Sequence, residues 1–175
     1  IVDVAEASPI PVLVYNNPSV TGGLLVSTDV IRRISPHPNV VGMKDSSKGN
    51  FKAYIEAADE SFHVLAGSAG FFLELLQEGG VGGVVSLANV FPTFCSQLYH
   101  TFINGEYEEA AELSGALVDL NKKVSGNYAV AGVKAAMDIV GFTGGAPRKP
   151  LKPLSAEERE QLKRDIETSD LYKMK

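Results

Sequence analysis

The chain has 175 residues, of which 45% are hydrophobic and 21% are charged, a composition typical of a globular domain with a substantial core. Its net charge is −5 and its 16 basic residues form no run, which argues against a nucleic-acid or anionic-membrane surface. No apolar run reaches the roughly 18 residues of a membrane span, and the N-terminal segment lacks the basic start of a secretory signal. The single cysteine, Cys95, allows no disulfide within the chain, so we expect an intracellular protein in a reducing compartment.

In chain order, four apolar runs alternate with amphipathic segments. The first run, "IPVLVYNN" at 10–17, is continuously apolar and ends in polar residues, as expected for a strand buried on both faces. Between the runs the apolar residues recur at helical spacing. In the segment after the second run, for example, one face of the predicted helix would carry Phe51, Tyr54, Ile55 and Ala58. This alternation predicts βα units and a parallel sheet. The predicted strands lie near residues 11–15, 39–44, 63–67 and 82–86.

After residue 105 the pattern contains helices only. Apolar residues recur at steps of three and four over 110–124, and "VAGVKAAMDIVGF" at 130–142 predicts a further helix. Ser155 and Glu158 have the spacing of a capping box that opens a last helix. We therefore expect two regions. They are the four βα units at 1–105 and a C-terminal helical region at 106–175.

The carboxyl ends of parallel strands carry functional groups, because the βα loops gather there. The residues at these ends are Tyr15 and Asn16, Lys44 and Asp45, Gly67 and Ser68, and Ser86 and Asn89. A tyrosine and a lysine on one edge suit Schiff-base chemistry, in which a neutral amine attacks a ketone and a phenol carries protons. Gly67 lacks a side chain, so a ligand could lie against its backbone.

Each of these features also has a simpler interpretation. A lysine at the end of an apolar run is often a surface residue, and Tyr15 alone fits a half-buried ring with its hydroxyl in water. The glycine-rich "EGGVGGVV" at 78–85 lacks the GK[ST] of a phosphate loop and predicts a tight turn between helix and strand. The histidines lack metal-ligand spacing, and Cys95 and His100 do not share a helix face. We therefore expect neither a metal site nor a cysteine nucleophile.

Several motifs resemble those of one known family. "VYNNPSVTG" at 14–22 resembles the YxxPxxTG motif of the pyruvate-dependent class I aldolases, the family of dihydrodipicolinate synthase and N-acetylneuraminate lyase. "GMKDSS" at 42–47 resembles the family's Schiff-base strand, at the family's spacing from the tyrosine. The likeness continues through "VLAGSAGF" at 64–71, "GGVGGVVSLANV" at 79–90 and "GGAPRKPLKPLS" at 144–155. It is nearest to the 4-hydroxy-2-oxoglutarate aldolase branch.

The resemblance implies a site and a reaction. Lys44 would form the imine and Tyr15 would relay protons. Ser46 and Gly67 would contact the substrate, and the backbone at Val85 would meet the pyruvate carboxylate. The implied reaction cleaves a 4-hydroxy-2-oxo acid, expected to be 4-hydroxy-2-oxoglutarate, to pyruvate and an aldehyde, expected to be glyoxylate. No metal or organic cofactor is implied.

The implied fold is a TIM (β/α)8 barrel with a C-terminal helical extension, of which this α/β chain carries the second half. Four parallel strands cannot close a barrel, so we expect a homo-oligomer in which a longer chain or a partner supplies the missing half. Val20 stands where dihydrodipicolinate synthases carry an arginine that holds a substrate carboxylate, which favours the aldolase reaction. The alternatives are a dihydrodipicolinate synthase-type condensation and a non-catalytic half-barrel that acts through association. A cytoplasmic and a mitochondrial location are both compatible with the sequence.

Overall fold

The computed structural model describes residues 1–173 and contains a parallel sheet of four strands with helices between them. The strands are β1 (Val12–Asn16), β2 (Val40–Asp45), β3 (His63–Ala66) and β4 (Gly82–Gly83). They are hydrogen-bonded in chain order, and every neighbouring pair is parallel. Consecutive βα units give this order, so the predicted α/β class is confirmed.

Helices join the strands and follow the sheet. Those before β4 are α1 (Val2–Ala7), α2 (Thr28–Ile34), α3 (Phe51–Ala57) and α4 (Phe72–Gln77). Those after β4 are α5 (Pro92–Ile103), α6 (Tyr107–Asn121), α7 (Asn127–Ile139), α8 (Ala156–Glu167) and α9 (Asp170–Lys173). Short 3₁₀ turns follow β1, β3 and β4 at Pro18–Val20, Ala69–Phe71 and Ser86–Asn89.

The last strand is much shorter than the sequence predicts. Only Gly82–Gly83 pair as a strand, and Val84 adds one bond from its N–H to the Ala66 carbonyl at 2.8 Å. Because β3 itself ends at Ala66, the ladder has no further partner, and the chain turns into a 3₁₀ helix from Ser86. The prediction of a strand through residue 86 is therefore wrong.

The glycine-rich segment before β4 forms the predicted turn. Gly79 has a φ of +99°, which a glycine adopts without strain, and its N–H donates to the Leu76 carbonyl at 3.1 Å. The N–H of Gly80 donates to the Leu75 carbonyl at 2.9 Å, and a Cβ at Gly80 would overlap the Leu75 side chain. These glycines therefore end α4 and leave room for a tight approach to β4.

The C-terminal helices follow the predicted pattern with one unpredicted irregularity. The apolar stripe of α6 is buried at Ala110, Leu113, Leu117 and Leu120. Lys122–Gly126 then winds as a π-helix, and Ala129 leaves helical geometry with φ 48° and ψ −138°. The capping box of α8 is confirmed, because Ser155 Oγ accepts the Glu158 N–H at 3.2 Å and Glu158 Oε2 accepts the Ser155 N–H at 2.8 Å.

The two faces of the sheet differ in exposure. Alternate residues of β1, β2 and β3 are buried, namely Val14, Met43, Val64 and Ala66. Ile31 of α2 and Tyr54 of α3 are buried as well. On the other face, Leu13 and Tyr15 of β1 are 48% and 54% exposed. We call this the open face, and the face that packs against the helices the covered face. The prediction that the first strand is buried on both faces is therefore wrong within residues 1–173, because the helices cover only one face.

Packing divides the chain into two compact units. The first comprises residues 1–67 and 74–84 and contains the whole sheet. Within the described residues, the second comprises 68–73 and 85–173, and it contains α5 to α9. The division into functional regions at 1–105 and 106–175 stays a prediction.

Candidate active site

Tyr15 and Lys44 are direct neighbours across β1 and β2. Their Cα atoms are partners in the parallel register, so their side chains project to the same face. Lys44 Nζ lies 4.6 Å from the centroid of the Tyr15 ring, which is within the ~6 Å range of a cation–π contact. The predicted proximity of these two side chains is confirmed. They lie on the open face of the sheet.

On the opposite face of the same strand ends, Asn16 and Asp45 form a buried hydrogen bond. They are 1% and 0% exposed, and Asn16 Nδ2 donates to Asp45 Oδ1 at 2.6 Å. Ser47 binds the same carboxylate, donating its N–H to Oδ1 at 3.2 Å and its hydroxyl to Oδ2 at 3.0 Å. A buried carboxylate is costly unless hydrogen bonds satisfy it, and these bonds do so. They also tie the end of β1 to the end of β2.

Tyr54 of α3 extends this cluster. Its hydroxyl donates to the Val26 carbonyl at 2.8 Å and accepts from Asn16 Nδ2 at 3.3 Å. The Val26 N–H donates to Asn16 Oδ1 at 3.2 Å, so both ends of the Asn16 amide are bonded. Burial raises the pKa of the Tyr54 phenol, and the negative charge of Asp45 acts in the same direction. We call Asn16, Asp45, Ser47 and Tyr54 the buried polar cluster.

Ser46 and Gly67, two predicted substrate-contact residues, lie against each other. The Ser46 N–H donates to the Asn16 carbonyl at 2.8 Å, and the Gly67 N–H donates to the Asp45 carbonyl at 2.7 Å. A Cβ on Gly67 would overlap Ser46 Oγ and lie 2.7 Å from the Asp45 carbonyl oxygen. The Ser46 hydroxyl therefore occupies the space in which a side chain at residue 67 would lie. Contact of either residue with substrate stays a prediction.

Asn17, which the sequence did not single out, is hydrogen-bonded to Tyr15, and Ser19 is hydrogen-bonded to Asn17. Asn17 Nδ2 donates to Tyr15 Oη at 2.8 Å, and the Ser19 hydroxyl donates to Asn17 Oδ1 at 2.6 Å. The available signal was the presence of polar residues two and four positions after the tyrosine. The buried polar cluster was also missed, because Tyr54 lies within an apolar helical stripe and has the pattern of a core residue.

Val85, the remaining predicted site residue, belongs to the second unit. It directly precedes the 3₁₀ turn Ser86–Asn89, and its carbonyl accepts the Ala88 N–H at 3.2 Å. Its side chain is buried. The predicted contact between its backbone and a substrate carboxylate stays a prediction.

Other chemically reactive groups are less well placed. Burial raises the pKa of the Cys95 thiol to about 11, so the thiol stays protonated, and a thiol is a much weaker nucleophile than a thiolate. Within residues 1–173, no three His, Cys, Asp or Glu side chains are grouped as a metal ion would require. In the same part of the chain, no helix is both long and apolar enough to cross a lipid bilayer.

The chain is similar to known proteins over almost its whole length. The model of the dihydrodipicolinate synthetase family matches residues 2–169. The chain is 34% identical over 163 residues to an Emericella nidulans protein named probable mitochondrial 4-hydroxy-2-oxoglutarate aldolase, covering 91% of this chain and 52% of the relative. It is 32% identical over 166 residues to the 4-hydroxy-tetrahydrodipicolinate synthase of Methanopyrus kandleri, covering 93% of this chain and 55% of the relative.

Solved structures agree with the sequence relatives. The crystal structure of dihydrodipicolinate synthase DapA-2 from Bacillus anthracis matches with a TM-score of 0.89 and 29% identity, covering 94% of this chain and 57% of that chain. The chain spans about half the length of the curated relatives it matches. Its four βα units and C-terminal helices correspond to the second half of a TIM barrel with a helical extension. From the match over residues 2–169, this chain belongs to the dihydrodipicolinate synthetase family.

Proposed function

We propose that this chain carries the reactive half of a Schiff-base aldolase. The observation that supports this most strongly is the pairing of Tyr15 and Lys44, with Nζ 4.6 Å from the ring centroid. An amine beside a phenol meets the needs of imine formation and proton transfer. Asn16 and Asp45 support the pair from the covered face, because their 2.6 Å bond joins the two strand ends that carry it.

The proposed reaction begins when Lys44 Nζ attacks the keto carbon of a 4-hydroxy-2-oxo acid and water is lost, giving a protonated imine. The imine cation accepts the electron pair of the C3–C4 bond, so an enamine forms in place of a free carbanion. As the imine forms, Tyr15 Oη gives its proton to the hydroxyl group that leaves as water, and the resulting phenolate takes the C4 hydroxyl proton as the aldehyde leaves. Protonation of the enamine at C3, followed by hydrolysis, releases pyruvate and restores the free lysine. These steps need no metal or organic cofactor.

We propose 4-hydroxy-2-oxoglutarate as the substrate, which would yield pyruvate and glyoxylate. Val20 supports this choice. It stands, 72% exposed, at the position of the arginine that would bind a carboxylate in a synthase, and an apolar side chain cannot form that bond. The name of the Emericella relative points to the same substrate. In this proposal Ser46, Gly67 and the Val85 backbone contact the 2-oxo acid. We further propose a homo-oligomer in the cytoplasm or mitochondrion, with the other half of the barrel on a longer chain or a partner.

A condensation of the dihydrodipicolinate synthase type is the second candidate. The Methanopyrus relative and the Bacillus structure support it by name. Both reactions would share a pyruvate imine on Lys44 and differ in the aldehyde partner. A non-catalytic role through association is the third candidate, and the exposure of Leu13 and Tyr15 on the open face favours it.

The imine is tested by borohydride reduction of the full-length protein in the presence of pyruvate, followed by peptide mass mapping. We expect a pyruvyl adduct on Lys44 that is absent from Lys44→Ala and retained in Lys48→Ala, a matched control from the following loop. Adducts on Lys48 or Lys134 instead, or none at all, would refute the proposal. Release of glyoxylate from 4-hydroxy-2-oxoglutarate then supports the aldolase, whereas formation of 4-hydroxy-tetrahydrodipicolinate would support the synthase.

A further inference from the structure

We propose that Asn17 is a positioning residue for the Tyr15 hydroxyl and that Ser19 orients Asn17. This inference rests on the proposed function, in which Tyr15 takes the proton of the C4 hydroxyl. The three side chains form one line of hydrogen bonds. Ser19 Oγ donates to Asn17 Oδ1 at 2.6 Å, and Asn17 Nδ2 donates to Tyr15 Oη at 2.8 Å. All three residues lie within 15–19, so the arrangement depends mainly on local backbone geometry.

The direction of these bonds follows from the chemistry of the groups. A carboxamide has one acceptor end and one donor end, and the Ser19 hydroxyl occupies the acceptor end of Asn17. The amino group of Asn17 is thereby turned toward Tyr15. Because an amino group of this kind can only donate, Tyr15 Oη is the acceptor in their bond. The phenolic hydrogen is left for a substrate group on the open face.

The backbone of the turn shows that Asn17 is not serving as an ordinary helix cap. It precedes the 3₁₀ turn Pro18–Val20, a position where an asparagine side chain commonly accepts a backbone N–H. Asn17 makes no such side-chain bond. Its main chain is held instead, because its carbonyl accepts the Val20 N–H at 3.2 Å and the Thr21 hydroxyl at 3.0 Å. The turn therefore fixes the Asn17 backbone, and the side chain remains available to Tyr15.

The proposed cleavage gives this contact a chemical role. The Tyr15 oxygen takes the C4 hydroxyl proton while the C3–C4 electron pair moves to the imine. A hydrogen bond to a charged oxygen is about twice as strong as one to a neutral oxygen. Asn17 would therefore stabilise the phenolate of Tyr15, which is the form that accepts the proton. The same bond holds the phenol oxygen in one position, and a fast proton transfer requires such positioning. Asn17 itself neither gives nor takes a proton.

The test compares Asn17→Ala and Ser19→Ala with Asn50→Ala in the full-length protein. Asn50 is a matched control, because it also precedes a helix without a side-chain capping bond. We expect Asn17→Ala to lower kcat by about 10- to 100-fold, a part of the roughly 10²- to 10⁴-fold that positioned proton transfer contributes. KM should stay nearly unchanged. Ser19→Ala should lower kcat by a smaller factor, and Asn50→Ala should have no effect.

A double-variant comparison separates positioning from a general structural role. In the Tyr15→Phe background, Asn17→Ala should cause no further loss of kcat, because its effect passes through the missing hydroxyl. An equal loss in both backgrounds would overturn the inference, as would an unchanged kcat in Asn17→Ala alone. Borohydride trapping of pyruvate on Lys44 should be the same in Asn17→Ala and the parent. If the parent shows no adduct on Lys44, the proposed function fails and this inference fails with it.

Discussion

The two faces of the sheet carry different structures at the ends of β1 and β2. The open face presents Tyr15 and Lys44, and the tyrosine is 54% exposed. The covered face carries Asn16 and Asp45, which are buried and joined at 2.6 Å. Successive strand residues project to opposite faces. The dipeptides Tyr15–Asn16 and Lys44–Asp45 therefore each place one residue on the open face and one on the covered face. The buried pair joins the two strand ends, and the open pair is the one to which we assign the proposed chemistry.

The largest expected effect on stability comes from Asp45→Ala. The Asn16 amide and both Ser47 donors would lose their buried acceptor, which should lower the free energy of unfolding by about 3 kcal/mol. Lys44→Met on the open face should change it by less than about 0.5 kcal/mol, although it removes the proposed imine. Urea unfolding followed by circular dichroism measures both. Equal losses in the two variants would contradict the distinction between the faces.

Gly67→Ala probes the close contact between Gly67 and Ser46 beyond the end of β3. The new Cβ would overlap Ser46 Oγ and lie 2.7 Å from the Asp45 carbonyl oxygen, so we expect a loss of about 2 kcal/mol in the free energy of unfolding from overpacking. Adding Ser46→Gly removes the nearer contact and should restore part of this loss.

The control for this prediction is Gly115→Ala in α6. A Cβ at Gly115 meets no atom within 4 Å, and alanine is favoured over glycine inside a helix by roughly 0.5–1 kcal/mol. This variant should therefore be neutral or slightly more stable in the same unfolding experiment. If Gly67→Ala is as stable as Gly115→Ala, then Ser46 does not pack against Gly67.

The strand positions and the meeting of Tyr15 and Lys44 could be predicted from the sequence. Apolar runs mark the strands, and the order of βα units brings consecutive strands together. The shortness of β4 could not be predicted, because Val84 and Val85 continue an apolar pattern and only the end of β3 stops the ladder. The exposure of β1 on one face was missed because an apolar run does not report which face its neighbours cover.

The side-chain hydrogen bonds of the site could not be predicted from the sequence pattern. Asn17 before a proline has the pattern of a capping or turn residue, and its bond to Tyr15 depends on the exact turn that follows. Tyr54 falls in the apolar stripe of α3, and its hydroxyl finds Val26 and Asn16 only in the folded chain. Residue types at strand ends predict which chemistry is possible, whereas the partners of each hydrogen bond are known only from the folded structure.

Tyr54→Phe should give a smaller loss than Asp45→Ala, because it removes only one hydroxyl from the buried polar cluster. The Val26 carbonyl would lose its donor at 2.8 Å, and we expect the free energy of unfolding to fall by about 1 kcal/mol. Tyr107→Phe is the matched control, since Tyr107 is 63% exposed. A thermal or urea unfolding series compares them. If the two phenylalanine variants are equally stable, the Tyr54 hydroxyl contributes nothing to the covered face.

The smallest expected effect is a dependence of stability on alkaline pH that comes from Tyr54. Burial, aided by the charge of Asp45, raises its pKa in the folded state above the ordinary 10.0. Above pH 10.0 the unfolded phenol loses its proton while the folded one still holds it. The unfolded chain then binds fewer protons, so the free energy of unfolding falls with rising pH. The contribution of Tyr54 is thus complete below pH 10.0 and is lost as pH rises through the folded-state pKa.

Tyr54→Phe has no phenol to ionise, so its stability should fall less steeply than that of the parent above about pH 10. All other ionisable groups are common to both proteins, and for this reason the informative quantity is the difference in the free energy of unfolding between parent and variant. That difference should shrink as pH rises. If that difference stays constant instead, burial does not raise the pKa of the Tyr54 phenol in the folded chain. Tyr54 would then belong to the buried polar cluster through its hydrogen bonds to Val26 and Asn16 alone, and its ionisation would not distinguish the covered face from the open one.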